Sequence, residues 1–285
     1  MPKEDEITYR TPEYPRQLRL DTTTICNAFC KSCHRFLTKR SGGLALDMIE
    51  RILKDVSHWE QPLVEIVPVN YGEFFLCKDW YHILEMVNHS LPYTQITIPT
   101  NGTRLNPETI RKLCHIPTVR LLNFSINAYF EETYEAFMGI EASNLERIRE
   151  AIRMVKALRS DIKIWASMVF DPAYQSDKER DLFVNYWRGK VDAVWVLSAS
   201  SASRPAKVPI IHRSIPCRSI FSDIVIGFDG KLSSCCWDSG FVMDLGHYSG
   251  DLKADWHNPK LEGLRLLHNN HNRNRVLFCS KCTSA

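Results

Sequence analysis

The sequence predicts an α/β fold: a partial (β/α)6 barrel of the TIM type over residues 16–200, then a small β-hairpin/α domain over 201–285. Three observations lead there. Short apolar runs alternate with amphipathic helical stretches through the first two thirds of the chain, as parallel strands joined by crossover helices require. About six such units are fewer than the eight of a closed barrel, so the barrel is left partly open. After Ser198 the composition shifts to the linker-like Ser-Ala-Ser-Ser-Ala-Ser-Arg-Pro.

Residues 1–15 hold Pro2, Pro12 and Pro15 among many charges and read as an arm. Arg16–Thr22 is the first strand, and a cysteine-bearing loop runs from it to Gly42-Gly43. Leu46–Trp59 has helical spacing in Leu46, Ile49, Ile52, Leu53 and Val56, with Asp47 acidic in its first turn. Leu63–Val69 is a β-branched run bounded by Pro62 and Asn70. Trp80–His89 is helical and Gln95–Pro99 a strand. Pro107–Cys114 is a helix, with Asn106 as N-cap and Pro107 at its first position. Val119–Ile126 is a strand, and Asn144–Arg159 a helix through Leu145, Ile148, Ile152, Val155 and Leu158. Ile162–Val169, Asp177–Arg188 and Ala193–Leu197 complete the alternation as strand, helix, strand. Beyond the linker, Ser219–Phe228 alternates apolar and polar, Asp229-Gly230 is a turn signal and Lys231–Cys235 returns. Pro259–His268 is a short helix.

Composition narrows the class. With 285 residues, 44% hydrophobic and 24% charged, the chain can bury one large core or two modest ones. A net charge of +3 with interspersed signs argues against a nucleic-acid partner. The basic, Asn/His-rich patch His268–Arg275 lacks interleaved aromatics and reads as a solvated loop. No apolar run is long enough to span a membrane, and the polar start Met1–Glu6 has no signal-peptide core, so the expected location is the cytoplasm. Thiols stay reduced there, and the ten cysteines read as metal ligands before disulfides. They fall into two groups, Cys26, Cys30 and Cys33, then Cys217, Cys235, Cys236, Cys279 and Cys282. Cys77 and Cys114 stand alone as small buried hydrophobes.

The first group has the spacing C-x3-C-x2-C. Three thiolates can hold three irons of a four-iron cluster and leave the fourth open to a chelating molecule. Two other readings compete. His34 completes a four-ligand zinc set, and Cys30–His34 matches the C-x-x-C-H pattern of c-type haem attachment, which needs export. The motif resembles that of the radical S-adenosylmethionine (AdoMet) superfamily, with Asn27 after the first cysteine as is common there. The resemblance implies a [4Fe–4S] cluster on Cys26, Cys30 and Cys33 that chelates AdoMet, cleaves it reductively to a 5′-deoxyadenosyl radical and draws electrons from a donor such as flavodoxin or ferredoxin. The family's aromatic before the third cysteine is Ser32 here, and Phe36 is the substitute for packing adenine.

The same resemblance assigns AdoMet contacts to loops at the C-terminal ends of the strands. Tyr71-Gly72-Glu73 is similar to the family's Gly-Gly-Glu, with Gly72 allowing close approach and Glu73 facing the methionine ammonium. Thr100-Asn101-Gly102 is similar to its Thr-Asn-Gly turn. Ser125-Ile126-Asn127 resembles Ser-Ile/Leu-Asp, with Asn127 in place of the acid. Ser167 is a further hydroxyl donor. The run Glu132–Gly139 lacks the Arg that usually precedes the Gly, which leaves the carboxylate of AdoMet without a named partner.

By spacing alone the second cysteine group suits zinc or a fully ligated cluster equally. C-x12-G-x4-C, then Gly246, Trp256, Leu264-Arg265 and a terminal CxxC, resembles the SPASM auxiliary-cluster domain in its shortened "twitch" form. That implies a second [4Fe–4S] cluster on Cys217, Cys235, Cys279 and Cys282. Cys236 is an alternative ligand, a small buried hydrophobe or a hydrogen-atom donor. Asp238 beside it reads as a turn residue. Relatives of the twitch type include an aminocyclitol alcohol dehydrogenase, and the wider group modifies peptides. The expected reaction is oxidation of a C–OH or C–NH carbon on a small polar metabolite. Radical epimerisation or peptide cross-linking is the alternative, and a zinc-bound structural protein the alternative of another class. Asp171, Ser198 and Arg204 are placed at the barrel mouth.

Overall fold

The computed structural model describes residues 7–199 and 215–282. Arg204 and the boundary between residues 200 and 201 lie outside the described residues. The chain folds in the order β1 (Gln17–Leu20), α1 (Leu46–Ser57), β2 (Glu65–Val67), α2 (Trp80–Ser90), β3 (Gln95–Thr100), α3 (Pro107–Cys114) and β4 (Val119–Ser125). It continues with α4 (Glu131–Met138), α5 (Asn144–Leu158), β5 (Lys163–Phe170), α6 (Asp177–Trp187) and β6 (Ala193–Ser198). The C-terminal segment adds β7 (Asp223–Ile226), β8 (Leu232–Ser233), α7 (Leu252–Trp256) and α8 (Pro259–Asn269).

All eight strands form one sheet in the order β6-β5-β4-β3-β2-β1-β7-β8. Strands β1 to β7 pair in parallel, and β8 returns antiparallel to β7. This is the open (β/α)6 barrel of the sequence reading, with an addition. The C-terminal hairpin does not stand apart, because Gln17 to Leu20 of β1 align with Asp223 to Ile226 of β7. The C-terminal unit thus extends the barrel wall beside the strand that leads into the first cysteine loop. The arm ties the two together. Trp256 Nε1 donates to the Pro12 carbonyl at 3.0 Å, and the Tyr14 ring stacks on Trp59 of the barrel at 4.8 Å.

The two faces of the sheet differ as its period of two dictates. Leu18, Leu20, Ile66, Ile96, Ile98, Leu122, Phe124, Ile164, Ala166 and Met168 are buried with Ile49, Ile52, Ile83, Leu84, Ile148 and Phe183 of the helices in one core. The opposite, inner face carries Gln17, Arg19, Glu65, Gln95, Thr97, Asn123 and Ser125, all only half-buried. The register aligns Gln17 with Glu65 and Glu65 with Gln95, and aligns Ser125 with Ser167 and Ser167 with Trp195. The inner face is therefore polar at these positions, while Trp165, Trp195 and Leu197 make its β5–β6 side apolar, the two indoles meeting at 5.5 Å. No helix among the described residues is long and apolar enough to cross a membrane.

Candidate functional site

The first cysteine loop leaves β1 through the buried residues Asp21 to Thr24 and is fastened at three places. The first is the end of α4. The last carbonyls of a helix lack partners within it, and here Phe137 and Met138 accept from the N–H groups of Lys31 (2.9 Å) and Phe29 (2.8 Å). Gly139 caps this helix at φ +65°, and a Cβ on it would stand 2.9 Å from Phe29 Cβ, so a side chain there would push the loop away. The other end of α4 is held by Glu179 of α6. Its buried carboxylate accepts from the N–H of Tyr129 (2.9 Å) and Phe130 (3.1 Å) and from Thr133 Oγ1 (3.0 Å). The sequence predicts no helix at α4 because its apolar spacing is thin and the carboxylate that caps its start, Glu179, lies on another helix.

The second fastening is the loop after β2. A Cβ at Gly72 would lie 2.1 Å from the Thr23 carbonyl oxygen and 3.0 Å from that of Ile25. The close approach foreseen for Gly72 is thus to the backbone entering the cysteine loop, and the Glu73 N–H donates to the Ile25 carbonyl at 2.8 Å. Because the obstruction is backbone, Gly72→Ala should displace the loop. The expected cost is about 1–3 kcal/mol of overpacking, read as a lower Tm together with reduced iron binding. An unchanged iron content would show that Gly72 is not part of the fastening.

The third is a polar network. The Glu73 carboxylate accepts from Thr100 Oγ1 (2.8 Å), the Asn101 N–H (2.7 Å) and the Phe75 N–H (3.4 Å). Burial lifts its pKa, against those three donors. Asn101 passes the link on, donating from Nδ2 to Asn27 Oδ1 at 2.9 Å and reaching Cys26 Sγ at 3.8 Å. Asn127 sits at φ 61°, donating to Met138 Sδ at 3.0 Å and accepting from the Val169 N–H at 2.7 Å. Met138 Sδ in turn touches Cys30 Sγ at 3.4 Å. The Ser167 hydroxyl donates to the Phe124 carbonyl at 3.1 Å, while Ser125 is half-buried at the end of β4. Phe36 is 52% exposed beside Phe29 at the rim. Glu73, Asn101 and Asn127 thus support the cysteine loop through their own hydrogen bonds and contacts, while Ser167 bonds within the sheet to Phe124.

The donor set suits an iron–sulfur cluster. Burial pushes the Cys30 thiol up to about 12, and the charges of Cys33 and Cys26 add to the shift. Arg35 supplies the compensating cation, reaching Cys33 while its guanidinium donates to the Ala28 carbonyl at 2.8 Å. Nothing in the sequence marks Arg35 except its place two residues past Cys33. Among the described residues, no three His, Cys, Asp or Glu groups gather as a site for a single metal ion.

The second group also converges. Burial raises the Cys235 thiol well above its ordinary value, and Cys236, Cys217 and Cys279 add to it. Burial lifts Cys279 to about 12, opposed by Arg273 and reinforced by Cys217 and Cys282. Arg273 and His268 are 2% and 0% exposed. His268 Nδ1 accepts from the Cys217 N–H at 3.1 Å, and burial, then Arg273, lowers its pKa to about 4. This corrects the reading of His268–Arg275 as a solvated loop at His268 and Arg273, while Asn270, Asn274 and Arg275 stay exposed. These two side chains turn inward because a group of thiolates around an anionic centre calls for a buried cation. Asp238, buried, accepts from Ser233 Oγ (3.0 Å) and the N–H groups of Val242 (2.8 Å) and Met243 (3.1 Å), which shapes the turn after Cys236. The Cys236 thiol is close enough to Arg19 and Asp223 of the inner face, and to Cys217, to feel their charges. Cys77 and Cys114 are half-buried against the core.

Asp21 was not visible as special in the sequence. It is 3% exposed and lies between the N–H groups of Tyr71 and Phe228, and burial raises its pKa to about 7. A carboxyl raised in the folded state gives stability that is complete below its unfolded value and lost as pH rises through the folded value. The loss therefore runs from about pH 4 to 7 and is on the order of 4 kcal/mol. Asp21→Asn should keep the two N–H contacts and flatten this slope. Thermal melts at pH 5 and 8 would show a smaller fall in Tm for the variant than for wild type, and parallel falls would rule the assignment out.

A family model described as the radical SAM superfamily matches residues 20–180, and one for an iron–sulfur cluster-binding domain, SPASM, matches residues 217–283. No curated protein matches the chain significantly. Among solved structures it is similar to BtrN in complex with AdoMet and 2-DOIA, at 15% identity and TM-score 0.68, over 98% of this chain and 95% of that one. It is similar to Streptococcus suis SuiB bound to precursor peptide SuiA, at 16% identity and TM-score 0.67, over 95% and 70%. It is also similar to anSMEcpe with bound AdoMet, at 13% identity and TM-score 0.68, over 94% and 88%. At these identities the likeness is one of fold.

Proposed function

The chain belongs to the radical SAM superfamily and carries a SPASM iron–sulfur cluster-binding domain, and from that premise we propose that it oxidises a C–OH or C–NH carbon of a small polar metabolite. When bound, AdoMet and its [4Fe–4S] cluster supply a 5′-deoxyadenosyl radical, and an auxiliary cluster supplies a one-electron acceptor. The balance closes: the substrate carbon gives up one hydrogen atom, then one electron and one proton. AdoMet with one electron from a donor such as flavodoxin or ferredoxin becomes methionine and 5′-deoxyadenosine.

In this reading Cys26, Cys30 and Cys33 hold the first cluster and Cys217, Cys235, Cys279 and Cys282 the second. The observation that carries it is the meeting of the two cysteine-bearing segments at one phenol, Tyr71, whose hydroxyl donates to the Cys236 carbonyl and whose ring stacks on His34, next to Cys33. A substrate between them could lose a hydrogen atom toward one group and an electron toward the other. Gly72, Glu73, Asn101, Ser125, Asn127, Ser167 and Phe36 surround the AdoMet side, most of them by holding the cysteine loop in shape. The polar β1–β4 part of the inner face, Gln17, Arg19, Glu65, Gln95, Thr97 and Asn123, offers hydrogen bonds to a polar substrate. Asp171 is buried beyond β5 and Ser198 exposed at the end of β6.

Turnover with selectively deuterated polyols, amino sugars or peptides tests the reading. Deuterium should appear in 5′-deoxyadenosine with one carbonyl product formed per AdoMet consumed. Transfer from a peptide Cα with no carbonyl formed would contradict it. That second outcome is favoured by one observation, the proximity of the Cys236 thiol to Arg19 and Asp223 of the inner face, where it could return a hydrogen atom in an epimerisation. Cys236→Ala should leave an oxidase active and stop an epimerase.

A further inference from the structure

Tyr71 stands where the family motif has a glycine, and it joins the two halves of the molecule. Its hydroxyl donates to the Cys236 carbonyl at 2.5 Å. Its ring stacks on His34, the residue after Cys33, with centroids 6.2 Å apart and planes 13° apart. His34 in turn meets Trp237 edge-on at 4.9 Å, and its Nδ1 lies 3.2 Å from the Trp237 carbonyl. A carbonyl only accepts, so Nδ1 carries the proton. Two neighbouring carbonyls of the turn Cys235-Cys236-Trp237 are thus held by side chains from the two barrel loops that frame the first cysteine group. Tyr71 is fixed in turn, because it precedes Gly72, which has no room to move against Thr23.

We propose that Tyr71 and His34 are positioning residues that fix the Cys235–Trp237 turn against the first cysteine loop and thereby set the spacing and electronic interaction of the two clusters. This rests on both cysteine groups holding clusters, as read above. The two side chains act differently. The rings wedge the loops apart at a fixed distance. The two donors also polarise the amides of the turn that carries Cys235, and hydrogen-bond donors near a cluster raise its reduction potential by stabilising the added negative charge.

Electron paramagnetic resonance and redox titration of the anaerobically reconstituted full chain test this without any substrate. Tyr71→Phe keeps the ring and removes the donor. It should leave the magnetic interaction between the two reduced clusters as in wild type, lower the potential of the auxiliary cluster and leave that of the AdoMet cluster in place. Tyr71→Ala removes the wedge as well, so the interaction should weaken or become heterogeneous while the iron content is retained. His34→Phe should repeat the Tyr71→Phe result. The proposal is overturned if Tyr71→Ala keeps both the wild-type interaction and the wild-type potentials. It is also overturned if Tyr71→Phe shifts both potentials alike, the mark of general loosening. A wild-type chain with a single cluster overturns this inference and the functional reading together, and the iron content shows that before any variant is made.

Discussion

Replacing Cys26, Cys30 and Cys33 together by Ala is expected to abolish 5′-deoxyadenosine formation while about half of the iron stays bound, as one of two four-iron clusters. The loss should be complete because the proposed assignment makes the three thiols the ligands themselves, and none of the supporting residues is a thiolate that could replace them. The iron that remains is expected because the second group draws its thiols from other segments of the chain. Its thiols come from the segments before β7, after β8 and after α8, with His268 and Arg273 beside them. The variant should still fold, since Phe29 and Lys31 dock on α4 through backbone groups that the substitution leaves untouched. Retained AdoMet cleavage would remove the first loop from the chemistry.

The converse variant carries the second largest effect. Cys279→Ala with Cys282→Ala takes two of the four proposed ligands from the auxiliary site. AdoMet cleavage should persist, because the supports of the first loop come from α4, Gly72, Glu73 and Asn101, all within the barrel. Substrate oxidation should fall to background, because an electron left on the substrate radical has lost its acceptor. Product assays and 5′-deoxyadenosine counts on the same sample check both halves. Normal product yield from the double variant would mean that the second cluster is structural.

The barrel was legible in the sequence because its outer face obeys simple rules. Ile49, Ile52, Leu53 and Val56 repeat at helical spacing, Asn106 caps α3 by accepting from the Thr109 N–H at 2.9 Å, and Pro107 opens that helix. The cysteines were legible because thiols at such spacing have few other uses. Three features were not. The pairing of β7 with β1 is a long-range register that no local pattern encodes. The burial of His268 and Arg273 runs against their polarity and makes sense only beside Cys217 and Cys279. Glu73, Asn101 and Asn127 sit in motifs that point toward a ligand, yet their hydrogen bonds run to Thr100, Asn27 and Val169. Motif spacing placed them at the site, but it did not distinguish touching a ligand from holding the loop that does.

The metal content of the anaerobically isolated chain tests the central claim most directly. Two thiol groups of three and four should give a brown protein with about eight irons and matching sulfide per chain, half of it lost with Cys26, Cys30 and Cys33. A colourless protein carrying zinc and no sulfide would contradict the account.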